Sequence, residues 1–221
     1  MLEPSTPIPQ AVQTAAGTQL EAILNALSGD AGLGPDEATH DARKRTKKLR
    51  ALLRLVRPVL DDDVYRRENR ALRDAARELS AVRDAWVLVE ALDGLMTPAG
   101  DGLTGHSAAP LRAALVQQHR DLQTGRADTD TPGRAAVHYE RVLARVGLWG
   151  VPDRGWKSLE DGLEAVVRAG RQHMARACSQ GRAEDFHEWR KQVKYLRHQF
   201  ELIRPVWPEV LDAMAATAAE A

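Results

Sequence analysis

The sequence predicts an all-α protein built of two related halves, two pseudo-symmetric helical bundles with long antiparallel helices. Three observations carry that reading. Ala, Leu, Arg and Glu dominate while Val, Ile and Thr are sparse, a composition that favours helix. No alternating apolar run leads into a turn signal, so no strand is predicted. A segment of about twenty residues, His40 to Val59, returns as His187 to Val206, and an internal duplication of that kind implies a duplicated architecture.

The elements follow in order. Residues 1–13 are rich in Pro, Ser, Thr and Gln and are expected to form a flexible tail. A first helix is expected from about Thr14 to Leu27, ended by Ser28-Gly29-Asp30. A second starts near Pro35, with Asp36 and Glu37 behind it, a favourable charge order for a helix N-terminus. Pro58 ends it. A third stretch runs from Asp61-Asp62-Asp63 to about Leu95, with a bend near Ser80. Thr97 to Pro110 and Thr124 to Gly133 read as loops around a helix over Leu111–Gln123. Ala135–Val146 is helical, and Gly147–Gly155 is a turn. Long helices follow over Trp156–Ser179 and Glu184–Arg204. Pro205 and Pro208 then break the chain before a short helix over Glu209–Ala219. The halves are thus 14–146 and 156–221, together one domain.

Bulk properties exclude several classes. With 221 residues, 31 Lys or Arg and 31 Asp or Glu, the chain has no overall basic surface for nucleic acid. One cysteine, Cys178, excludes a disulfide framework and a thiolate zinc site. No apolar run reaches the ~18 residues of a membrane span, so no membrane partner is expected. The N-terminus lacks the charge and apolar pattern of a secretory signal, and a cytoplasmic location is expected.

Charge on the repeat is the functional signal. The copies HDARKRTKKLRALLRLVRPV and HEWRKQVKYLRHQFELIRPV share H-x-x-R-K-x-x-K-x-L-R-x-x-x-x-L-x-R-P-V. Positions i, i+3, i+4 and i+7 lie on one helix face. In the first copy these are His40, Arg43, Lys44 and Lys47, continued by Arg50. In the second they are His187, Arg190, Lys191 and Lys194, continued by Arg197. The other faces are apolar: Ala42, Leu49, Leu52, Leu53 and Val56, then Trp189, Val193, Leu196, Phe200 and Ile203. Residues 40–57 hold eight Lys or Arg against one acid, Asp41. A solvated face mixes signs so that i,i+4 pairs form, and like charges at that spacing cost stability. Such a cost, present twice in a chain of zero net charge, points to an anionic ligand. The stripe from His40 to Arg54 is ~21 Å long at ~1.5 Å per residue, which matches an extended polyanion. Arg66, Arg70 and Arg73 on the third helix, and Arg168 and Arg171 ahead of the second copy, extend the cationic set. Arg suits phosphate because its fork grips two oxygens.

The two motifs, with YRRENRALRDAARELSAVRDAWVLVEAL (Tyr65–Leu92) and VRAGRQHMARA (Val167–Ala177), resemble the CHAD domain, the conserved histidine α-helical domain. The resemblance covers roughly residues 15–207. It implies two four-helix bundles about a pseudo-twofold axis, with basic helices lining a central surface that binds inorganic polyphosphate. It also implies association with polyphosphate granules and polyphosphate-metabolising proteins in a bacterial cell. By motif, the binding residues are His40, Arg43, Lys44, Lys47, Arg50, His187, Arg190, Lys191, Lys194 and Arg197. In the family further long helices follow the second motif. Here only Pro205–Ala221 follows, so the second bundle is expected to be incomplete at its C-terminus. A further segment or a partner chain, a second copy included, would complete it and cover Val206, Trp207, Val210, Leu211 and Met214.

No catalytic constellation accompanies these residues. His40-Asp41 lacks the further His and Asp ligands of a metal phosphohydrolase, and there is no G-x-x-x-x-G-K-[ST] loop. No cofactor, no metal and no enzyme activity are therefore expected. The alternatives to polyphosphate binding are nucleic-acid binding and scaffolding of an acidic protein through the same stripes. Zero net charge and the lack of aromatic interleaving disfavour nucleic acid.

Overall fold

The computed structural model describes residues 1–96, 105–128 and 131–220, without the side chains of residues 81–84, 105–107, 123 and 125–128. The described residues form an all-α fold. In chain order the helices are α1 (Ile8–Ser28), α2 (Pro35–Val56), α3 (Asp62–Glu78), α4 (Ser80–Leu95), α5 (Gly105–Asp128), α6 (Thr131–Arg145), α7 (Lys157–Gln180), α8 (Ala183–Ile203) and α9 (Pro208–Glu220).

Local chemistry sets the boundaries. Glu37 accepts the Gly34 N–H at 3.3 Å ahead of α2. Asp61 Oδ1 accepts the N–H groups of Asp63 and Val64 at 2.8 and 3.3 Å at the start of α3, which occupies two donors that have no partner within the helix. Gly29 and Gly181 end α1 and α7 in the left-handed region, at φ 90° and 65°, where a Cβ is strained. Each motif helix runs into the same short 3-10 turn, Arg57–Val59 after α2 and Arg204–Val206 after α8. The turn occurs where Pro58 and Pro205 remove a backbone donor.

α1, α2, α3 and α6 make a four-helix bundle: α1 packs on α2 and α6, and α3 on α2 and α6. α4 and α5 form an antiparallel hairpin beside it, tied by Arg112 to Asp93 with N···O distances of 2.6 and 2.9 Å. In the second half α8 packs between α7 and α9 and also on α2, while α7 packs on α2. One core runs through both halves, from Leu20, Leu49, Leu72 and Tyr139 to Leu159 and Leu202. α7 packs tightly on α2 at Gly162, where an added Cβ would lie 1.8 Å from the Leu55 carbonyl oxygen.

The structure departs from the sequence reading at three boundaries. α1 begins at Ile8, not near Thr14, and the first residues are packed: Leu2 is fully buried and its N–H donates to Leu202 O at 2.7 Å. Ile8, Ala11, Val12, Ala15 and Ala16 already have helical spacing and are buried. The prolines at 7 and 9 lie where a helix needs no N–H donor. Pro110 sits inside α5 rather than at its edge; buried Ala108 beside it shows packing overriding local propensity. The remainder of the loop expected over 97–110, residues 97–104, lies outside the described residues. α5 also continues through Thr124, whose hydroxyl donates to Arg120 O at 3.0 Å within the helix. The bend expected near Ser80 is the break between α3 and α4 at Leu79.

Candidate polyanion-binding cleft

The repeat is visible in the contacts between its copies. α2 and α8 cross antiparallel. Lys48 Nζ lies 3.0 Å from Glu201 Oε2. Exchanging the copies turns Lys48 into Tyr195 and Glu201 into Arg54, and the Arg54 guanidinium sits 4.2 Å from the Tyr195 ring centroid. The same pair of positions is therefore used twice, about a local twofold. At its centre lies fully buried Ala51, whose carbonyl accepts from Gln199 Nε2 at 3.3 Å. A small residue there lets the backbones approach.

One side of this crossing is a cleft of about 390 Å³. His40, Arg43, Lys44 and Lys47 line it from α2, and Lys194, Arg197 and His198 from α8, with Val87 of α4 as an apolar wall. Lys47 and Lys194 are repeat equivalents and meet here. Beyond the cleft the strip continues along α8 through Lys191, Arg190 and His187, all exposed, with Lys191 paired to Glu188 at 2.6 Å. Two cationic helix faces thus join near their midpoints.

The electrostatics leave this strip positive. Burial, reinforced by Arg190 and Arg197, holds the Lys194 ammonium below its ordinary value. Lys44 and Lys194 have no acidic partner among the described residues. Glu201 lies to one side and is occupied: Lys48, Arg197 at 3.1 Å and His198 Nδ1 at 3.2 Å surround it. The His198 hydrogen bond first, and then Lys48, outweigh its partial burial and lower its carboxyl to about 2.

The structure does not bring every predicted residue to the cleft. Arg50 turns away to Asn69 Oδ1 at 3.1 Å. Arg66 and Arg70 line a different groove, between α3 and α6. Arg73 lies 3.6 Å from Asp74. Arg168 lies 3.7 Å from Glu164, and Arg171 is exposed on α7. Tyr65 is buried beneath the Arg57 guanidinium, 4.6 Å from its ring centroid, and so fills the core edge. Sequence reasoning missed His198 and Val87. His198 lies four residues beyond Lys194, on the same face, a usable signal. The first copy has Ala51 at that position, so comparison of the repeats hides it.

The fold defines a class: an all-α domain with a duplicated helix whose two copies bring Lys and Arg side chains to one cleft. A family model described as CHAD domain matches residues 14–221, nearly the whole chain, and the chain belongs to that family. Neither the curated proteins nor the solved structures compared with it contain a match. Among the described residues, no helix is long and apolar enough to cross a membrane.

Proposed function

We propose that the protein binds inorganic polyphosphate, without chemically altering it, in the cleft between α2 and α8. The observation that carries this is the meeting of the two cationic helix faces at Lys47 and Lys194, which makes one positive strip from two repeats. Polyphosphate has a charge every few ångströms along a flexible chain, and Lys ammoniums and Arg forks can engage successive phosphates without reading sequence. His40, Arg43, Lys44, Lys47, Lys194 and Arg197 are the first contacts, and His187, Arg190 and Lys191 extend the path. Membership of the CHAD family supports the reading. In a bacterial cytoplasm such binding would hold the protein at polyphosphate granules, beside enzymes that make or consume the polymer.

Competition tests ligand class. Unlabelled polyphosphate should displace labelled polyphosphate at least tenfold better than duplex DNA or RNA of equal charge. Equal displacement by nucleic acid would replace this reading with a general polyanion or nucleic-acid surface.

A further inference from the structure

The groove between α3 and α6 is lined by five arginines and no lysine, and it shares no lining residue with the cleft. α3 and α6 pack on each other, and α6 packs on α1, so the groove lies across the first bundle from α8.

Its floor is one buried carboxylate. Glu68 is fully buried and accepts from Arg145 Nε and Nη2, both at 2.8 Å, and from Arg67 Nε at 2.8 Å. One negative charge thus fixes two guanidiniums and leaves a net positive pair. Donors of both remain directed away from Glu68. Arg70 and Arg141 join them in the groove, and neither has an acidic partner among the described residues. The two acids at its rim are engaged: Asp74 lies 3.6 Å from both Arg73 and Arg77, and Asp63 4.0 Å from Arg66.

The far end of the same helix pair shows what a structural solution looks like. There Arg134 reaches across to Glu78 at 3.0 Å, a neutral rung. At the groove end Arg66 pairs with Asp62 at 3.4 Å and Arg67 and Arg145 share Glu68, while Arg70 and Arg141 add two cations with no acidic partner among the described residues, and such like charges repel unless an anion lies between them. The volume, about 570 Å³, holds several tetrahedral phosphates rather than one. Arg67 and Arg145, held by Glu68, are preset forks that favour a short anion in one geometry through bidentate bonds, whereas the cleft mixes arginines with lysines that act as point charges along a chain.

We propose that the α3–α6 groove is a second anion site that takes a short phosphoanhydride chain, with Arg70 and Arg141 as the closing contacts and Arg67 and Arg145 as a preset base. It does not rest on the reading of the cleft. The full chain would be titrated calorimetrically with tripolyphosphate, beside Arg70→Ala/Arg141→Ala and Lys44→Ala/Lys194→Ala variants. All four side chains extend from the surface, and equal melting temperatures would verify folding. Tripolyphosphate affinity should fall at least tenfold in the arginine variant, and the lysine variant should keep a site of wild-type affinity. Unchanged binding by the arginine variant, or no binding by wild type, would overturn the inference. Long-chain polyphosphate binding unaffected by the lysine variant would instead count against the cleft alone. Competition by ATP would identify the nucleotide triphosphate as one source of the ligand, and displacement by inorganic chains only would identify the free oligophosphate.

Discussion

Glu201 holds Lys48, Arg197 and His198 together where α2 meets α8. Its carboxyl titrates at about 2 in the folded protein against an ordinary 4.5. A depressed folded value stabilises the native state above pH ~4.5, and this contribution is lost as pH falls toward about 2. Glu201→Gln should therefore lower the melting temperature at pH 7, and the gap from wild type should shrink steadily as pH falls from 4.5 toward about 2; a gap as large at pH 2.5 as at pH 7 would contradict this. Glu68 has a different role. Its removal leaves Arg145 and Arg67 without their shared anion, and since both are partly solvent-exposed the cost should stay below the ~3–5 kcal/mol of truncating a fully buried pair. Glu68→Ala should lower stability by about 1–3 kcal/mol in urea unfolding. At this scale the motif cations were legible because helical spacing fixes which residues share a face. The destination of Arg50, Arg66, Arg70 and Arg73 was not, because spacing gives a face and not the helix opposite. Glu68 was hidden for the same reason: nothing local marks a carboxylate whose partner lies 77 residues away.

The crossing of α2 and α8 and the approach of α7 to α2 decide how elements set the cleft. Gly162→Ala would place a methyl on the Leu55 carbonyl. Overpacking against backbone costs about 1–3 kcal/mol or more, and the displaced α7 carries α8 with it. Circular dichroism should show a lower melting temperature for Gly162→Ala, with polyphosphate affinity reduced as well; wild-type values for both would remove this contact from the account. Leu2 tests the packed N-terminus. Leu2→Ala should cost about 2–4 kcal/mol as a buried leucine, whereas a flexible tail would give no change. The helices, their order and the ends of the motif helices at Pro58 and Pro205 were readable because capping acids, glycines and prolines act within a few residues; the 3-10 turns there were not. The start of α1 was not, since burial of Leu2 depends on Leu202, two hundred residues on.

Across the whole molecule the repeat is unequal in its surroundings. α2 is covered by α1, α3, α7 and α8, and its apolar face is buried at Ala42, Leu49, Leu52, Leu53 and Val56. On α8 the equivalent face is buried at Phe200, while Trp189, Val193, Leu196 and Ile203 are only half-buried. Trp207 is 60% exposed and Met214 44%, in keeping with the sequence expectation of uncovered apolar surface after the second motif. Zero net charge conceals the segregation that matters. Most acids lie at helix starts or in ion pairs; on the α2–α8 strip Lys191 pairs with Glu188 at 2.6 Å, while Lys44 and Lys194 have no acidic partner among the described residues. Polyphosphate binding as proposed would be an electrostatic event governed by counterion release. The direct measurement is a titration of the full chain with long-chain polyphosphate at two salt concentrations, beside a folded Lys47→Ala/Lys194→Ala variant. Saturable binding is expected, weakening with salt by a log–log slope of about −0.7 per contacted phosphate for a flexible single chain, with at least a tenfold loss in the variant. Undiminished binding by the variant, or none by folded wild type, would contradict the proposed function.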